Sequence, residues 1–324
     1  MPASSQRRAI AIHSAAALAV VAMATVATPL SAGANGTMRS FTTVDARGAG
    51  TSPGQGSILQ GIANDGALVG FYENADNLDI GYVVRGSIQR SLVDPGADTG
   101  FITPPNAGQG TNSYSTNGST VVGDFVGPSG GFQGFAFRAG TYSTFEAPDA
   151  GTGADQGTMA FSIDSEGVIA GTFIDADGVQ HGFIEDRGRF ASFNDPSAGS
   201  GAGQGTGLTA ISSDGTLTGY FVDASGTTHG FTYQAGGFTT YNDPAALPGE
   251  TFPLATNNRG TVVGDYVDKS GTLNGFVFEH GRYSTVDDPE GAGGSSVADV
   301  NDSGVMAGYY VDAGGTYQGF VYHP

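Results

Sequence analysis

Short runs of β-branched and aromatic residues, each ended by Gly, Asn, Asp or Pro, recur along most of this chain. Between residues 250 and 290 four such runs follow one another: Thr251 to Thr256 (TFPLAT), Thr261 to Val267 (TVVGDYV), Leu273 to Phe278 (LNGFVF) and Tyr283 to Val286 (YSTV). Each run has the length and composition of a strand in a globular protein. No helical hydrophobic period is found after residue 34. The pattern therefore predicts an all-β protein.

A glycine followed by an aromatic residue recurs six times, at spacings of 53, 48, 48, 45 and 44 residues. Another aromatic lies nine residues before each of these glycines. The pairs are Gly81-Tyr82, Gly134-Phe135, Gly182-Phe183, Gly230-Phe231, Gly275-Phe276 and Gly319-Phe320, and the preceding aromatics are Tyr72, Phe125, Phe173, Phe221, Tyr266 and Tyr310. The inner interval is constant while the outer spacing varies, which indicates a rigid unit joined by variable loops. We expect these aromatics to pack between neighbouring units.

The connections between runs predict how the strands pair. The first three turns of each unit are short and contain glycine, so the strands they join should form antiparallel hairpins. The fourth connection is long, as in the segments that begin at Asp94 and Asn194. A four-stranded meander followed by a long crossover is typical of a β-propeller blade.

The last unit supports a closed ring. It has three strands, at Ser296–Asn301, Val305–Asp312 and Tyr317–Tyr322, and its fourth is missing. Residues Phe41–Asp45 repeat the pattern of Tyr283–Asp287. We therefore predict a six-bladed β-propeller with four antiparallel strands per blade, in which the N-terminal strand closes the last blade. The predicted blades are residues 55–96, 109–149, 156–196, 204–245, 250–290 and 294–324 plus 41–46.

The first 34 residues have a different character. Arg7 and Arg8 precede an apolar, alanine-rich stretch from Ala9 to Leu30, and Ala32-Gly33-Ala34 forms an A-x-A site. This pattern predicts a secretory signal peptide over residues 1–34, cleaved after Ala34; an uncleaved anchor is the alternative. The single propeller domain would then span residues 35–324, in a secreted or periplasmic protein.

Charge and composition exclude several classes of function. All 31 acidic residues lie after the predicted signal peptide, against 10 basic residues, and the chain has no cysteine. Such a balance opposes nucleic acids and anionic membranes as partners. Without cysteine there is neither a disulfide framework nor a cysteine-ligated metal site. We expect a monomer with no membrane span after cleavage.

The repeat unit also resembles a known family. Its elements are aromatic-x-x-Asp-Pro, a long loop, N-x-x-G, apolar-Gly-x-aromatic, D-x-x-G and H-G-F. The residues that carry the resemblance are His181-Gly182-Phe183 and His229-Gly230-Phe231, with degenerate copies at Gln133, Asn274 and Gln318. Over residues 41–322 this is similar to the extracellular HAF-type repeat of bacterial secreted proteins. The resemblance implies export and a repeat architecture, but no activity or catalytic residue. The first copy departs most, with Ile80-Gly81-Tyr82 and no D-x-x-G turn.

A polar series before each inner strand is the first candidate site. If the inner strand lines the axis, these side chains form a ring at one mouth of the channel, where amides and hydroxyls suit a neutral ligand such as a sugar. Alternatively they satisfy backbone groups where the crossover enters the blade, which we favour slightly. The series comprises Gln55, Gln109, Gln156, Gln204 and Glu250, followed by Thr111, Thr158 and Thr206.

The D-x-x-G turns are the second candidate site. Asp175 and Asp177 place two carboxylates in one turn, which would suit calcium, but an Asx-type turn explains the same residues without metal and is favoured. Two histidines, His181 and His229, occupy equivalent positions; a shared ligand is one interpretation and hydrogen bonding within the strand the favoured one. We expect no cofactor, calcium being the one candidate.

No catalytic constellation can be placed from spacing. The leading hypothesis is a secreted, non-enzymatic propeller that binds a polysaccharide or an extracellular protein through its loops. A glycan-active hydrolase or lyase with its site at the axial mouth is one alternative, and a structural surface protein is another.

Overall fold

The computed structural model describes residues 40–98 and 110–324. These residues form 24 strands and contain no helix that could cross a membrane. The all-β prediction is confirmed. The predicted signal peptide and Gln109 lie outside the described residues.

The strands pair as antiparallel four-stranded meanders, which we number units 1 to 6. Unit 1 contains β2 (Gly56–Ile62), β3 (Leu68–Glu73), β4 (Asp79–Arg85) and β5 (Ile88–Leu92). Unit 2 contains β6 (Thr111–Thr116), β7 (Thr120–Val126), β8 (Phe132–Arg138) and β9 (Thr141–Phe145). Unit 3 contains β10 (Gly157–Ile163), β11 (Ile169–Ile174), β12 (Gln180–Asp186) and β13 (Arg189–Phe193).

Unit 4 contains β14 (Gly205–Ile211), β15 (Leu217–Val222), β16 (Thr228–Gln234) and β17 (Gly237–Tyr241). Unit 5 contains β18 (Ala246–Thr256), β19 (Val262–Asp268), β20 (Leu273–Glu279) and β21 (Arg282–Thr285). Unit 6 contains β22 (Ser295–Val300), β23 (Met306–Val311) and β24 (Tyr317–His323), and β1 (Ser40–Val44) is its fourth strand.

The first strand of the described chain therefore pairs with the last. β1 runs antiparallel to β24, with Ser40 opposite His323 and Val44 opposite Gly319. The Phe41 ring packs on this partner strand, with its centroid 5.3 Å from that of Phe320 and 4.7 Å from that of Tyr322. The pairing satisfies an outer edge of β24 that would otherwise be open.

One predicted strand is longer than the sequence pattern suggested. β18 begins at Ala246, five residues before the predicted start at Thr251. Its pairing with β19 is interrupted between Ala246 and Thr251. The end of the crossover from unit 4 is thus part of the sheet.

Neighbouring units touch through their inner strands, in the cyclic order 1-2-3-4-5-6-1. Single parallel bridges join several of them, such as Gly157 to Phe132 and Gly205 to Gln180. These bridges merge the units into sheets of eight, twelve and four strands. The bridge between units 6 and 1 joins Gly56 to Tyr317.

The core lies between the units. The ring of each glycine-aromatic pair is buried, from Tyr82 and Phe231 at 0 % exposure to Phe183 at 1 %. The last residue of the outer strand of one unit packs against the pair in the next unit, as Phe193 of unit 3 does on Phe231 of unit 4 at a centroid distance of 6.0 Å. Fully burying such a ring removes roughly 150–250 Å² from water. These aromatics are structural, as the sequence predicted.

The two ends of the units are chemically different. The crossovers and the D-x-x-G turns lie at one end, the crossover end; the N-x-x-G turns and the outer hairpins lie at the other, the turn end. Side chains at the turn end link each N-x-x-G turn to the turns of adjacent units. The contacts are Asn64 to Asp302 and Asn258 to Asp302 at 2.8 Å, the Asp214 amide to Asn258 at 3.1 Å, Ser165 to Ser213 at 2.7 Å, Asn117 to the Asp164 carbonyl at 3.0 Å, and Arg85 to the Gly118 carbonyl.

Candidate functional site

The predicted hydroxyl series forms buried hydrogen bonds between consecutive units. Thr206 Oγ1 accepts the Asp195 amide at 2.8 Å, and Thr158 Oγ1 accepts the Ala147 amide at 2.9 Å. Thr111 Oγ1 accepts the Asp94 amide at 2.9 Å. We call these bonds hydroxyl staples. The remaining three boundaries carry Ser57 to Ala46, Thr251 to Asp243 and Ser295 to Asp288.

The described glutamines fix their own crossover. Gln156 Oε1 accepts the Gly153 amide at 3.0 Å, and its Nε2 donates to the Ala176 carbonyl at 3.0 Å. Gln204 does the same with Gly201 and Ala224. Each glutamine therefore joins a crossover to the D-x-x-G turn of the same unit.

Gln55 and Glu250 vary this arrangement. Gln55 donates to Asn77 Oδ1 at 2.7 Å and accepts the Ser52 amide. Glu250 lies in β18, and its charge adds to burial in raising the pKa of Asp265. The described glutamines and hydroxyls thus satisfy backbone and side-chain groups, which is the alternative favoured from the sequence.

The aspartates of the D-x-x-G turns accept backbone amides. Asp175 Oδ1 accepts the amides of Asp177 and Val179, both at 2.9 Å, which makes an Asx-type turn. Asp223, Asp268 and Asp312 make the same pair of bonds. In unit 1, where the sequence lacks this turn, Asn74 takes the same role toward Asp76 and Leu78. Over residues 40–98 and 110–324, no three His, Cys, Asp or Glu side chains are grouped as metal ligands.

The two equivalent histidines bind within their own unit. His229 Nε2 lies 3.0 Å from Asp223 Oδ2, and its ring stacks on Phe221 at 4.7 Å. His181 makes the matching contacts with Asp175, at 3.1 Å, and with Phe173. Gln318 replaces the histidine in unit 6 and donates to Asp312 at 3.2 Å. The position therefore orients the turn aspartate, and a glutamine can do so as well.

A β-bulge occurs at the same place in every inner strand, the strand that the sequence analysis expects to line the axis. The bulged residues are Gln60, Tyr114, Phe161, Thr209, Leu254 and Ala298. They line one cavity of about 20 Å³ together with Ser115, Ser162, Ala210, Ala255 and Asp299. A cavity of this size holds about one water molecule. A sugar does not fit at this level of the axis.

Buried carboxylates lie between this bulge layer and the crossover end. Asp124 in β7 is fully buried, and neither of its oxygens makes a hydrogen bond of good geometry, although the Tyr114 hydroxyl and the Asn112 amide lie beside it. Burial raises the pKa of Asp124 to about 7. Burial, with Glu73 and Asp124 nearby, holds the pKa of Asp79 well above its ordinary range. Burial also raises the pKa of Glu73 to about 7.

A further buried carboxylate lies at the boundary of units 5 and 6. Asp265 is fully buried and accepts the Ser296 hydroxyl at 2.7 Å through Oδ2, while Oδ1 has no partner. Burial raises its pKa to about 7. Asp265 occupies the same repeat position as Asp124, namely the residue between glycine and aromatic in the second strand. Sequence reasoning missed both aspartates. The signal that could have found them is that the other units have an aromatic residue or threonine at this position, namely Phe71, Thr172, Tyr220 and Tyr309.

Charge is concentrated at the crossover end. Of the 31 acidic residues, 20 lie in the crossovers, the D-x-x-G turns or the strand ends beside them, together with two basic residues, Arg47 and Lys269. The turn end carries eight acidic and six basic residues. The crossover end is therefore a strongly negative face.

No family model and no curated protein matches this chain. Among solved structures, AofleA from Arthrobotrys oligospora is similar over 89% of this chain and 87% of its own, with 13% identity and a TM-score of 0.53. The SapL1 lectin in complex with α-methyl fucoside has 13% identity and a TM-score of 0.49, covering 80% of this chain and 88% of its own. A lectin from Aleuria aurantia, described as a six-bladed β-propeller with a novel fucose recognition mode, has 9% identity and a TM-score of 0.46, covering 82% and 91%. At these identities the likeness to AofleA bears on the fold alone.

Proposed function

We propose that this chain is a secreted, non-enzymatic six-bladed β-propeller that binds a glycan through its crossover end. The observation that carries the binding proposal is a set of crossovers of different lengths on one repeated frame. The residues joined by a hydroxyl staple are 11 apart in three crossovers and 17, 8 and 7 apart in the others. Variable loops on a rigid scaffold are where recognition commonly lies.

The six-bladed ring is supported by contacts that return to their start. β1 completes unit 6, the inner strands touch in cyclic order, and a hydroxyl staple links each unit to the next, including Ser57 to Ala46 between units 1 and 6. Export, through a signal peptide over residues 1–34, and the HAF-type repeat remain part of the proposal on sequence grounds.

The chemistry of the crossover end favours a ligand rich in hydroxyl groups. Carboxylates, amides and backbone carbonyls accept the hydrogen bonds that sugar hydroxyls donate. The negative charge disfavours phosphorylated, sulfated or uronic acid polymers. The axial cavity of about 20 Å³ leaves no room for a sugar ring among the bulged residues. A neutral or amine-bearing glycan held outside the axis is the class that fits.

A glycan array probed with residues 35–324 tests this function, with α-methyl fucoside and neutral and amine-bearing oligosaccharides included as soluble competitors. We expect binding to neutral or basic glycans that competitors displace. Matched variants shorten the long crossover between units 1 and 2 to the length of the crossover between units 3 and 4. The residues of the hydroxyl staples, Asp94 and Thr111, are kept. If the protein melts cooperatively, and is therefore folded, but binds no glycan on the array, the proposal is contradicted.

A second function is favoured by one observation at the crossover end of unit 1. Glu73 and Asp79 are opposite each other in the β3–β4 pair, and both have a raised pKa. A carboxyl that keeps its proton near neutral pH can serve as a general acid in glycan cleavage. A hydrolase and lyase panel on the same protein tests this alternative. Turnover that Glu73→Gln abolishes without loss of folding would replace binding as the function.

Removing residues 35–46 tests the ring itself. The truncation deletes β1 and exposes the outer edge of β24, so we expect a large drop in melting temperature. Truncated and intact proteins that melt alike would contradict closure by β1. Millimolar calcium is added in parallel, and an unchanged melting temperature is expected, because the turn aspartates already accept backbone amides.

A further inference from the structure

Carboxylates from two units lie near enough to act on each other where unit 1 meets unit 2. Asp124 comes from β7 of unit 2, and Asp79 is the first residue of β4 in unit 1. Asp79 forms a parallel bridge with Gly110, at the start of unit 2. Glu73 is opposite Asp79 across the β3–β4 pair. We call Glu73, Asp79 and Asp124 the acid joint.

Within residues 40–98 and 110–324, no positive charge compensates the acid joint. Neither oxygen of Asp124 makes a hydrogen bond of good geometry, and Asn112, directly opposite it in β6, has an unpaired Oδ1. Burial raises the pKa of all three carboxyls, and the charges that act on Asp79 are those of Glu73 and Asp124. Residues 99–109, in the crossover between the two units, contain no ionisable side chain. An ionised carboxylate buried without a partner costs several kcal/mol.

The elements packed around the joint add hydroxyls and no cation. β6 brings Tyr114, whose hydroxyl lies beside Asp124 and near Asp79. β24 brings Tyr317, which senses the charge of Glu73. β8 places Gly134 opposite Asp124. In the crossover, the Asp98 amide bonds to the Val126 carbonyl, and Asp94 lies at the hydroxyl staple with Thr111.

We propose that the acid joint is a proton-operated latch: units 1 and 2 are held together while its carboxyls carry protons, and the joint loosens when they ionise. Like charges at close range cannot all remain ionised in a buried site. Asp79 of the latch is bridged to Gly110, where unit 2 begins at the crossover end, so the state of the latch also affects the proposed glycan-binding face. That second consequence rests on the proposed function, whereas the latch itself does not.

The sign of the effect follows from the raised pKa values. Glu73 and Asp124 titrate near 7 when folded, against ordinary values of 4.5 and 3.8. The folded state therefore holds more protons between about pH 4 and pH 7, and stability falls as pH rises through that window. Asp124 alone would change the unfolding equilibrium on the order of a thousandfold across it.

Thermal unfolding from pH 5 to pH 8 tests the latch in wild type, Asp124→Asn and Asp124→Thr, the second copying Thr172 of unit 3. We expect the wild-type melting temperature to fall as pH rises, and both variants to show a shallower fall and a higher melting temperature at pH 8. Asp177→Asn, on an exposed turn, is the control and should keep the wild-type slope. A pH-independent wild type, or variants with an unchanged slope, overturns the proposal.

Two further measurements keep the test open if the variants fold poorly. In the wild type, the infrared carbonyl band of a protonated carboxyl should be present at pH 6 and absent at high pH; its absence at pH 6 contradicts the latch.

Hydrogen exchange should show β7 and β8 opening faster at pH 8, after correction for intrinsic rates, with β15 and β16 unchanged. If calcium at pH 8 restores the stability of wild type but not of Asp124→Asn, the joint is a cation site instead. Glycan binding is measured separately, so failure of the latch and failure of the function remain distinguishable.

Discussion

The crossover end and the turn end of the units are joined by different kinds of hydrogen bond. At the crossover end, a buried hydroxyl accepts a backbone amide of the preceding unit, as Thr206 does from Asp195 at 2.8 Å. At the turn end, exposed side chains bond to each other, as Ser165 does to Ser213 at 2.7 Å. The buried bond satisfies a backbone amide that water cannot reach. The exposed bond joins two side chains that could bond to water instead. Stability should therefore depend far more on the crossover end.

The two ends also differ in charge: the crossover end is the more negative one. The turns explain this difference. Each crossover and each D-x-x-G turn uses an acceptor side chain, usually aspartate, to hold backbone amides, as Asp223 and Asp243 do. Both turn types lie at the crossover end. The negative face is thus a consequence of repeating the same turn chemistry around the units, and it constrains which ligands the face can accept.

Glycine substitutions should give the largest difference between the ends. Gly205 has a φ of +115°, and a Cβ there would lie 2.0 Å from the Gln180 carbonyl oxygen. Gly215 at the turn end has a φ of +84° and nothing within 4 Å of a Cβ. We expect Gly205→Ala to lower the free energy of unfolding by more than about 3 kcal/mol, and Gly215→Ala by about 1–2 kcal/mol from backbone strain alone. Urea unfolding measures both, and equal losses would contradict the difference.

Removal of one hydroxyl at each end should come next in size. Thr206→Val keeps the shape of the side chain but leaves the Asp195 amide without an acceptor, so we expect a loss of about 1–3 kcal/mol. Ser165→Ala removes an exposed bond, and the loss should stay within about 0.5 kcal/mol. Chemical denaturation of the two variants side by side measures this. A Thr206→Val protein as stable as the wild type would show that the staples do not hold the units.

A buried acidic residue on the crossover side of the bulge layer and a more exposed one at the turn end should respond to pH with opposite signs. The pKa of the buried Asp265 is raised to about 7, so its ionisation destabilises the fold as pH rises through that value, and Asp265→Asn should melt higher than wild type at pH 8 but not at pH 5. Although partial burial opposes it, hydrogen bonds from Ser212, Thr216 and Gln234 lower the pKa of Asp214. Its contribution is present above pH 4 and lost in acid, so Asp214→Asn should melt lower than wild type at pH 7. Thermal melts at three pH values decide the signs, and shifts of the same sign would be unexpected.

Single exposed charges should give the smallest effects. Asp155 in a crossover has a φ of 61°, a conformation that asparagine tolerates well. Asp155→Asn also removes one negative charge from the crowded face, so we expect a gain of up to about 0.5 kcal/mol that shrinks in high salt. Asp186→Asn at the turn end, beside Arg187 at 3.7 Å, should give no gain. Melting temperatures at low and high salt measure both, and a gain for Asp186→Asn alone would reverse the comparison.

Strand content and strand order could be predicted from the sequence, because turn residues and the glycine-aromatic pairs act locally. The pairing of β1 with β24 was predictable too, since Phe41–Asp45 copies the outer strand of unit 5. The Asx turns followed from aspartate and glycine at fixed spacing. Each of these inferences uses residues that are close in sequence, or a pattern that recurs.

The layer of bulged residues and the acid joint could not be predicted in the same way. The bulged positions hold residues as different as Gln60, Phe161 and Ala298, so no residue type marks the bulge. Asp124 looked like one polar residue in an apolar strand, and its neighbour Asp79 belongs to another unit. Whether two such side chains meet depends on how the units pack, which a linear pattern does not encode.

The pairing of β1 with β24 means that the position of the chain ends can be changed without changing how the units are arranged. A covalent linker from His323 to Ser40 would join strands that are already neighbours. New ends could then be opened in another crossover, so that a different unit is built from both termini. Circular permutants of this kind should keep the same strand pairing, and the unit in which the chain is cut becomes a free choice for attaching a second protein.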